Sequence, residues 1–163
     1  PFYELYECRY MVYFPVVSSE DYNEQPRFLA EKEAYRIALD NITLDKVICG
    51  EQQPESDHFI DNKQSSTGDV NGRHWRETKE YITYTMKSNG AKAILITYIP
   101  DKNRNAKVLV NGNEIGKITS ANNAHEATTR IECNGNNDTF KVTIAKDSSD
   151  ITPRIFEVRI VKE

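Results

Sequence analysis

Apolar and polar residues alternate with a period of two along much of the second half of the chain. In residues 81–86, threonines separate Ile82, Tyr84 and Met86. Residues 140–144 and 156–160 repeat the alternation, and residues 93–98 form a continuous apolar run. Alternation is typical of a strand with one face in a core, whereas a short unbroken apolar run is typical of a fully buried strand. The second half is therefore predicted to be β-structure.

Tight turns separate these predicted strands. Asn111-Gly112 stands between residues 107–110 and 114–118, and this pair is the strongest short hairpin signal in a sequence. Polar segments at residues 134–138 and 147–150 separate the later strands. Short strands at fairly regular spacing, without a βαβ pattern, predict a mainly β fold: an antiparallel β-sandwich or jelly roll.

One helix is predicted, over residues 28–40. The segment is rich in helix formers, and its apolar residues recur at helical spacing, at Ala30, Ala34, Ile37 and Ala38. Pro26 is expected to open this helix, and residues 18–25 are expected to form a loop. The predicted domains are therefore a strand segment from a preceding β domain (1–17), a linker and helix (18–44), and a β-sandwich domain (45–163).

Residues 1–17 are unusually rich in aromatic and β-branched side chains. A lone ribbon of this composition is only marginally stable, so we expect it to pack on a neighbouring sheet or to mediate self-association of isolated chains. The sequence begins at Pro1 without an initiator methionine, and we interpret it as a piece of a longer protein.

Charge and cysteine content narrow the classes of function. Of 163 residues, 38% are hydrophobic, and the formal net charge is -4. No lysine and arginine stripe is visible, so neither a nucleic-acid nor a membrane partner is predicted, and no apolar run could span a bilayer. Cys8, Cys49 and Cys133 follow no metal or redox spacing. They are predicted to be buried thiols, with one disulfide as the alternative.

The densest polar segment is residues 50–58, followed by the small, basic and aromatic residues of 65–68 and 72–76. Sugar-binding sites combine aromatic faces with polar side chains that form bidentate hydrogen bonds. The candidates for binding carbohydrate or a domain interface are Glu51, Gln53, Glu55, Asp57, His58, Arg73, Trp75 and Arg76. The alternative is structural: Trp75 belongs to the core, and Arg76 forms an ion pair with Glu55 or Asp57.

Catalysis and metal binding receive weaker support from the residues. Glu51, Glu55 and Asp57 could supply an acid and a base for glycoside hydrolysis, but such pairs usually come from different elements, and no catalytic motif accompanies them. No catalytic residue and no cofactor are therefore predicted. Calcium is the alternative, because jelly rolls commonly bind it through loop carboxylates; the candidate ligands are Asp57, Asp61, Asp69 and Glu157.

Several stretches carry a resemblance to a known family. They are residues 31–40, 45–47, 50–58, 66–68 and 72–76, together with the opening residues 1–3 and 9–14. This set resembles the C-terminal region of bacterial proteins like glycoside hydrolase family 127, the β-L-arabinofuranosidase-like group. Members often have His-Asp where Tyr6-Glu7 stands here, and often Trp where Phe14 stands.

The resemblance implies a galactose-binding-like β-sandwich. In such proteins, catalysis belongs to an α-helical toroid with a glutamate acid/base and a zinc-held cysteine nucleophile, and the three cysteines here do not match that cluster. It also implies that the parent protein is a periplasmic or secreted bacterial glycoside hydrolase. The partners would be its catalytic and β domains, together with plant-type or other glycans.

Three hypotheses follow from the sequence. The leading one is a non-catalytic C-terminal accessory domain that braces the catalytic domain of a glycoside hydrolase and holds glycan near it. The second is an autonomous carbohydrate-binding module. The third is a hydrolase in its own right, which would require turnover by the isolated chain.

Overall fold

The computed structural model describes residues 18–119 and 126–163. The predicted strand segment 1–17, with Cys8 and the proposed self-association surface, lies outside the described residues. The chain divides into two compact units: one ends at Leu39 and the other spans Asp40–Glu163.

Helix α1 spans Ser19–Ile42 and begins nine residues before the predicted start at residue 28. Ser18 caps this earlier start, because its Oγ accepts a hydrogen bond from the Asp21 amide at 3.0 Å. Glu20 and Asp21 in the first turn also favour helix, since carboxylates stabilise the positive end of its dipole. The predicted loop over residues 18–25 is therefore wrong, and Pro26 lies inside the helix instead of opening it. In the described part of the chain, no helix is both long and apolar enough to cross a membrane.

The unit Asp40–Glu163 is built from antiparallel strands and one short helix, α2 (Gln52–Asp57). Within the described residues the strands are β1 (Thr43–Ile48), β2 (Asp61–Val70), β3 (Arg73–Lys87), β4 (Ala93–Ile99), β5 (Ala106–Val110), β6 (Asn113–Ile118), β7 (Ala127–Glu132), β8 (Thr139–Lys146) and β9 (Arg154–Val161). Every strand pair among them is antiparallel, as predicted.

The strands pair in two groups. One group has the order β1-β9-β4-β7 and the other the order β2-β3-β8-β5-β6; a single residue pair, Arg76 with Ile155, links β3 to β9. At the far ends, Gly116 of β6 lies against the Ile131 side chain of β7. This nearly closed antiparallel arrangement confirms the predicted mainly β sandwich.

The alternating residues supply the core. Ile82, Tyr84 and Met86 of β3 are fully buried and lie opposite Ile144, Val142 and Phe140 of β8. Val47, Ile94, Ile96, Val108, Ile118, Val158 and Ile160 complete the interior with 0% exposure. Burial of these apolar side chains is the main favourable contribution to folding, at about 25 cal/mol per Å² of apolar surface.

A β-bulge interrupts β9 at Phe156. The pairing with β4 passes from Thr97–Glu157 to Tyr98–Ile155, which leaves Phe156 as the extra residue. Ile155 therefore joins the core cluster in place of Phe156, although the alternation predicted that Phe156 would share a face with Val158 and Ile160. The predicted hairpin at Asn111-Gly112 is confirmed: both residues have positive φ, 51° and 85°, as the favoured two-residue hairpin turn requires.

Glu55 of α2 forms a buried ion pair with Arg76 of β3. The Glu55 side chain is 4% exposed; its Oε1 accepts from Arg76 Nε and its Oε2 from Arg76 Nη2, both at 2.7 Å. Oε1 also accepts from the Gly50 amide at 2.9 Å and from the Tyr84 hydroxyl at 2.8 Å. This confirms the structural alternative for Arg76, whose pKa is raised by the hydrogen bonds that it donates to Glu55.

Cys49 lies beside this ion pair and is fully buried. Burial raises the pKa of the Cys49 thiol to about 12, and burial likewise raises the pKa of the neighbouring Tyr84. Cys49 and Cys133 are both free thiols. The prediction of a buried thiol is therefore confirmed for Cys49, while Cys133 is only partly buried.

We predict that Glu55→Gln lowers the free energy of unfolding by about 3 kcal/mol, because it leaves the largely buried Arg76 charge without its counter-ion. Urea unfolding followed by Tyr and Trp fluorescence measures the change. Glu51→Gln is the matched control, since Glu51 is exposed and makes no side-chain capping bond to α2. Equal unfolding midpoints for the two variants would contradict a stabilising role of the pair.

We also predict that iodoacetamide at pH 8 labels Cys49 in the native chain far more slowly than Cys133. With a pKa of about 12, only about one Cys49 thiol in ten thousand is ionised at that pH, and the thiolate is the nucleophile. Peptide mass spectrometry after timed quenching gives both rates, and labelling in urea gives the reference. Similar native rates at the two cysteines would show that Cys49 is accessible.

Candidate functional site

The structure distributes the eight predicted binding residues over separate places. Glu55 and Arg76 form the buried ion pair, so their polar atoms already have partners inside the protein. Glu51 precedes α2 as an exposed residue. The remaining candidates divide between the β2–β3 hairpin and a pocket at the C-terminal end of α2.

Trp75 packs against the backbone of the β2–β3 hairpin. A Cβ added to Gly68 would lie 2.3 Å from Trp75 Cζ2, so the indole needs a glycine at this position. The Arg154 guanidinium lies 5.6 Å from the centre of the indole ring, and Trp75 Nε1 is buried without a hydrogen-bond partner. Trp75 is therefore half-buried between Gly68 and Arg154, whereas a sugar platform presents its ring to solvent.

Arg73, two residues before Trp75 on β3, lies near the start of β9. Its guanidinium lies 4.3 Å from the centre of the Phe156 ring and forms an ion pair with Glu126. These residues border a shallow cavity of about 300 Å³, completed by Val70, Asn71, Ile99 and Arg154. Because Arg73 covers the aromatic ring here, the cavity presents no uncovered aromatic face.

A second cavity, of about 260 Å³, contains two of the predicted residues. We name it the Phe59 pocket; it is lined by Asp45, Asp57, His58, Phe59, Thr85, Lys87 and Thr139. Gln53, also predicted, donates a hydrogen bond to Asp57 Oδ1 at 2.8 Å and so helps to orient that carboxylate. The pocket therefore combines carboxylates, an imidazole, hydroxyls and an ammonium beside one aromatic ring.

Phe59 is the most exposed large hydrophobic residue in the described part of the chain, at 76%. Its φ of 50° lies in the left-handed region, which costs a side-chain-bearing residue roughly 1–3 kcal/mol. Backbone hydrogen bonds hold this conformation: the Phe59 amide donates to Ser56 O at 3.0 Å, and the Thr85 amide donates to His58 O at 2.8 Å. The fold thus holds an apolar ring in solvent at the rim of a polar pocket.

Asp45 and His58 form the polar wall of the pocket. Asp45 Oδ1 lies 3.1 Å from His58 Nε2, and Asp45 Oδ2 accepts from the Lys87 amide at 2.8 Å. His58 Nδ1 lies 2.6 Å from the Pro54 carbonyl, which can only accept. Nδ1 therefore carries a proton, and Nε2 can donate to Asp45 only when the ring carries both protons.

The four candidate calcium ligands do not gather. In the part of the chain that the structure describes, no group of three or more His, Cys, Asp or Glu could hold a metal ion. Asp61 and Asp69 lie at opposite ends of β2, and Glu157 accepts a hydrogen bond from Arg159 at 2.7 Å. Calcium binding stays a prediction without support from the carboxylate positions.

Five residues of the Phe59 pocket were not among the sequence candidates: Asp45, Phe59 itself, Thr85, Lys87 and Thr139. Phe59 directly follows the polar segment 50–58, and a lone aromatic residue after a polar loop was an available signal. Asp45 and Lys87 carried no such signal, because strand pairing brings them to the pocket from distant parts of the sequence.

Solved structures with the same fold include carbohydrate-binding modules. A family 35 module from Clostridium thermocellum aligns with a TM-score of 0.50 and 19% identity over 71% of this chain and 96% of that chain. A family 35 module from Cellvibrio japonicus aligns with a TM-score of 0.52 and 14% identity, over 71% and 92%. At these identities the likeness shows the fold.

The same fold also occurs inside larger proteins. An exo-β-1,3-galactanase from Phanerochaete chrysosporium aligns with a TM-score of 0.53 and 12% identity, over 71% of this chain and 28% of the enzyme. No curated protein matches the sequence. Residues 38–161 match the model of DUF6805, a family of unknown function, and the chain therefore belongs to that family.

Proposed function

We propose that this chain is a glycan-binding module and that the Phe59 pocket is its binding site. The observation that carries the proposal is the exposed Phe59 ring, which the backbone holds beside Asp57 and His58. An apolar ring can cover the C–H face of a sugar, while carboxylate and imidazole groups bind the hydroxyls around it. The family 35 carbohydrate-binding modules that share the fold support glycan binding as the function.

The proposed role is binding without catalysis by this chain. Glu55, a candidate acid in the sequence, is fully engaged by Arg76, Gly50 and Tyr84. Asp45, the inner carboxylate of the pocket, has both oxygens occupied, since Oδ1 accepts from the Lys46 amide and Oδ2 from the Lys87 amide. Asp57 is exposed, and an exposed carboxylate is suited to hydrogen bonding with sugar hydroxyls.

The accessory role is a further part of the proposal. Helix α1 exposes large apolar side chains, at 61% for Phe28, 59% for Leu29 and 69% for Tyr35. Several large apolar side chains left exposed on one helix are typical of a surface that another domain covers. We infer that a catalytic domain of the same protein is that partner, and that it belongs to the family 127-like group that the sequence resembles.

We predict that Phe59→Ala weakens binding of arabinose- or galactose-containing oligosaccharides by about tenfold or more, because an aromatic side chain that becomes covered contributes roughly 1.5–3 kcal/mol. Isothermal titration calorimetry of the whole chain measures the affinity. Phe28→Ala is the matched control, since it removes another exposed phenylalanine, from helix α1.

Asp57→Asn gives a second test of the same pocket, because it keeps the size of the side chain and removes its charge. Weaker binding with both Phe59→Ala and Asp57→Asn would support the pocket. The absence of heat with every glycan tested, or an affinity that Phe59→Ala leaves unchanged, would overturn this assignment. Trp75→Ala is a poor probe, since Trp75 packs on Gly68 and its loss would alter the hairpin.

The accessory role predicts which other domain the complete coding sequence encodes. Reading that sequence on both sides of this segment should find a glycoside hydrolase domain, with a glutamate acid/base and a cysteine cluster of the family 127 type. A coding sequence without a hydrolase domain would contradict the accessory role and leave the autonomous carbohydrate-binding module.

A further inference from the structure

A wide groove crosses the outer face of strands β3, β8 and β5. It has a volume of about 780 Å³ and is lined by Gln64, Lys79, Glu80, Tyr81, Lys107, Ala145, Lys146 and Asp150. We name it the lysine groove. Its lining residues are all different from those of the Phe59 pocket.

Strand register explains the shape of the lysine groove. Tyr81 pairs with Ala145, and Ala145 pairs in turn with Lys107, so the three side chains form one row across β3, β8 and β5. The row faces outward, because the following row, Ile82, Ile144 and Val108, is buried in the core. Strands lie about 4.8 Å apart, so the small Ala145 forms a floor between walls about 10 Å apart.

The charges that line the groove are predominantly positive. Among the described residues, Lys79, Lys107 and Lys146 form no ion pair and no side-chain hydrogen bond. The Glu80 carboxylate is already occupied, since it accepts from Lys63 at 2.9 Å and from Gln64 at 2.9 Å. The groove has two lining carboxylates, Glu80 and Asp150. Of these two, only Asp150 is therefore left without an ion-pair partner among the described residues.

This cluster contrasts with the rest of the molecule. The chain carries a net charge of -4, and every arginine among the described residues forms an ion pair, as Arg154 does with Asp101 at 2.6 Å. Three unpaired ammonium groups around one groove repel one another, and an anion between them would relieve that repulsion. The groove is therefore suited to a ligand that carries several negative charges.

The other surfaces of the groove suit a sugar chain. Tyr81 supplies a half-buried aromatic wall with a polar edge. The next outward row contains Thr83 and Thr143, whose hydroxyls lie 2.8 Å apart and add polar atoms beside the groove. Aromatic and hydroxyl groups bind C–H faces and hydroxyls, which a saccharide presents together with its charges.

We propose that the lysine groove binds an anionic oligosaccharide whose carboxylate or sulfate groups pair with Lys79, Lys107 and Lys146. The ring of one sugar residue lies against Tyr81 above Ala145. This site is separate from the Phe59 pocket: Tyr81 and Thr85, which border the two sites, are four residues apart along β3, about 13 Å.

The test uses the whole chain and two charged probes, an oligogalacturonate hexamer for carboxylates and a heparin-derived hexasaccharide for sulfates. A neutral β-1,4-galactan hexasaccharide is the reference. We expect at least one charged probe to bind about tenfold more tightly than the reference, with an affinity that falls as salt is raised. The preferred probe distinguishes carboxylate from sulfate recognition.

Variants assign the binding to the groove. The triple variant Lys79→Gln, Lys107→Gln, Lys146→Gln should bind the preferred charged probe about thirtyfold more weakly, at about threefold for each exposed ion pair. The control triple variant Lys32→Gln, Lys92→Gln, Lys102→Gln removes the same charge from exposed lysines outside the groove and should change the affinity less than threefold. Tyr81→Ala should also weaken binding of the preferred charged probe, because it removes the aromatic wall against which a sugar ring lies.

Phe59→Ala separates this inference from the proposed function. This substitution should change the affinity of the groove for the charged probe less than twofold. The two proposed sites are therefore tested independently. The inference is wrong if neither charged probe binds, if the two triple variants lose equal affinity, or if a single-stranded oligonucleotide of equal charge binds more tightly than both saccharides. Thermal melting of each variant identifies any loss that follows from misfolding.

Discussion

The buried ion pair between Glu55 and Arg76 is the interaction on which the position of the candidate site depends. It joins helix α2 to strand β3, and the same carboxylate also holds the Gly50 amide and the Tyr84 hydroxyl. Desolvation of two charges is costly, so an isolated pair of this kind contributes little net stability, although the loss of one partner is severe. Its effect is positional: it holds α2, and therefore His58 and Phe59, at one place on the sheet.

This constraint also explains how an apolar ring remains exposed. Glu55 is bound on one side, and the His58 carbonyl and imidazole are bound on the other, to the Thr85 amide and to Asp45. Between these attachments the chain turns through the left-handed conformation of Phe59. Strain of this kind persists where surrounding contacts over-determine the backbone, and such positions cluster at binding sites.

The fold could be predicted from the sequence largely because local patterns determine it. The period-two alternation in β3 and β8, the apolar run in β4 and the Asn111-Gly112 turn each depend on residues close in sequence, and all are confirmed. The predicted start of α1 was wrong, because the helix begins after the Ser18 cap and contains Pro26 within it. The β-bulge at Phe156 could not be predicted, because it depends on the register between β4 and β9.

The sites were less predictable, because the fold, and not proximity in the sequence, decides which side chains lie together. Residues 50–58 are close in sequence, yet helix α2 turns Glu55 inward and leaves Asp57 at the surface, so proximity along the chain did not define one cluster. The three unpaired lysines show the opposite case, since 28 residues separate Lys79 from Lys107 and 39 separate Lys107 from Lys146. No stripe is visible in such a sequence, but antiparallel pairing of β3, β8 and β5 brings their charges to one groove. A chain with a negative net charge can therefore present a local surface that attracts anions, and composition alone does not decide which ligands it binds.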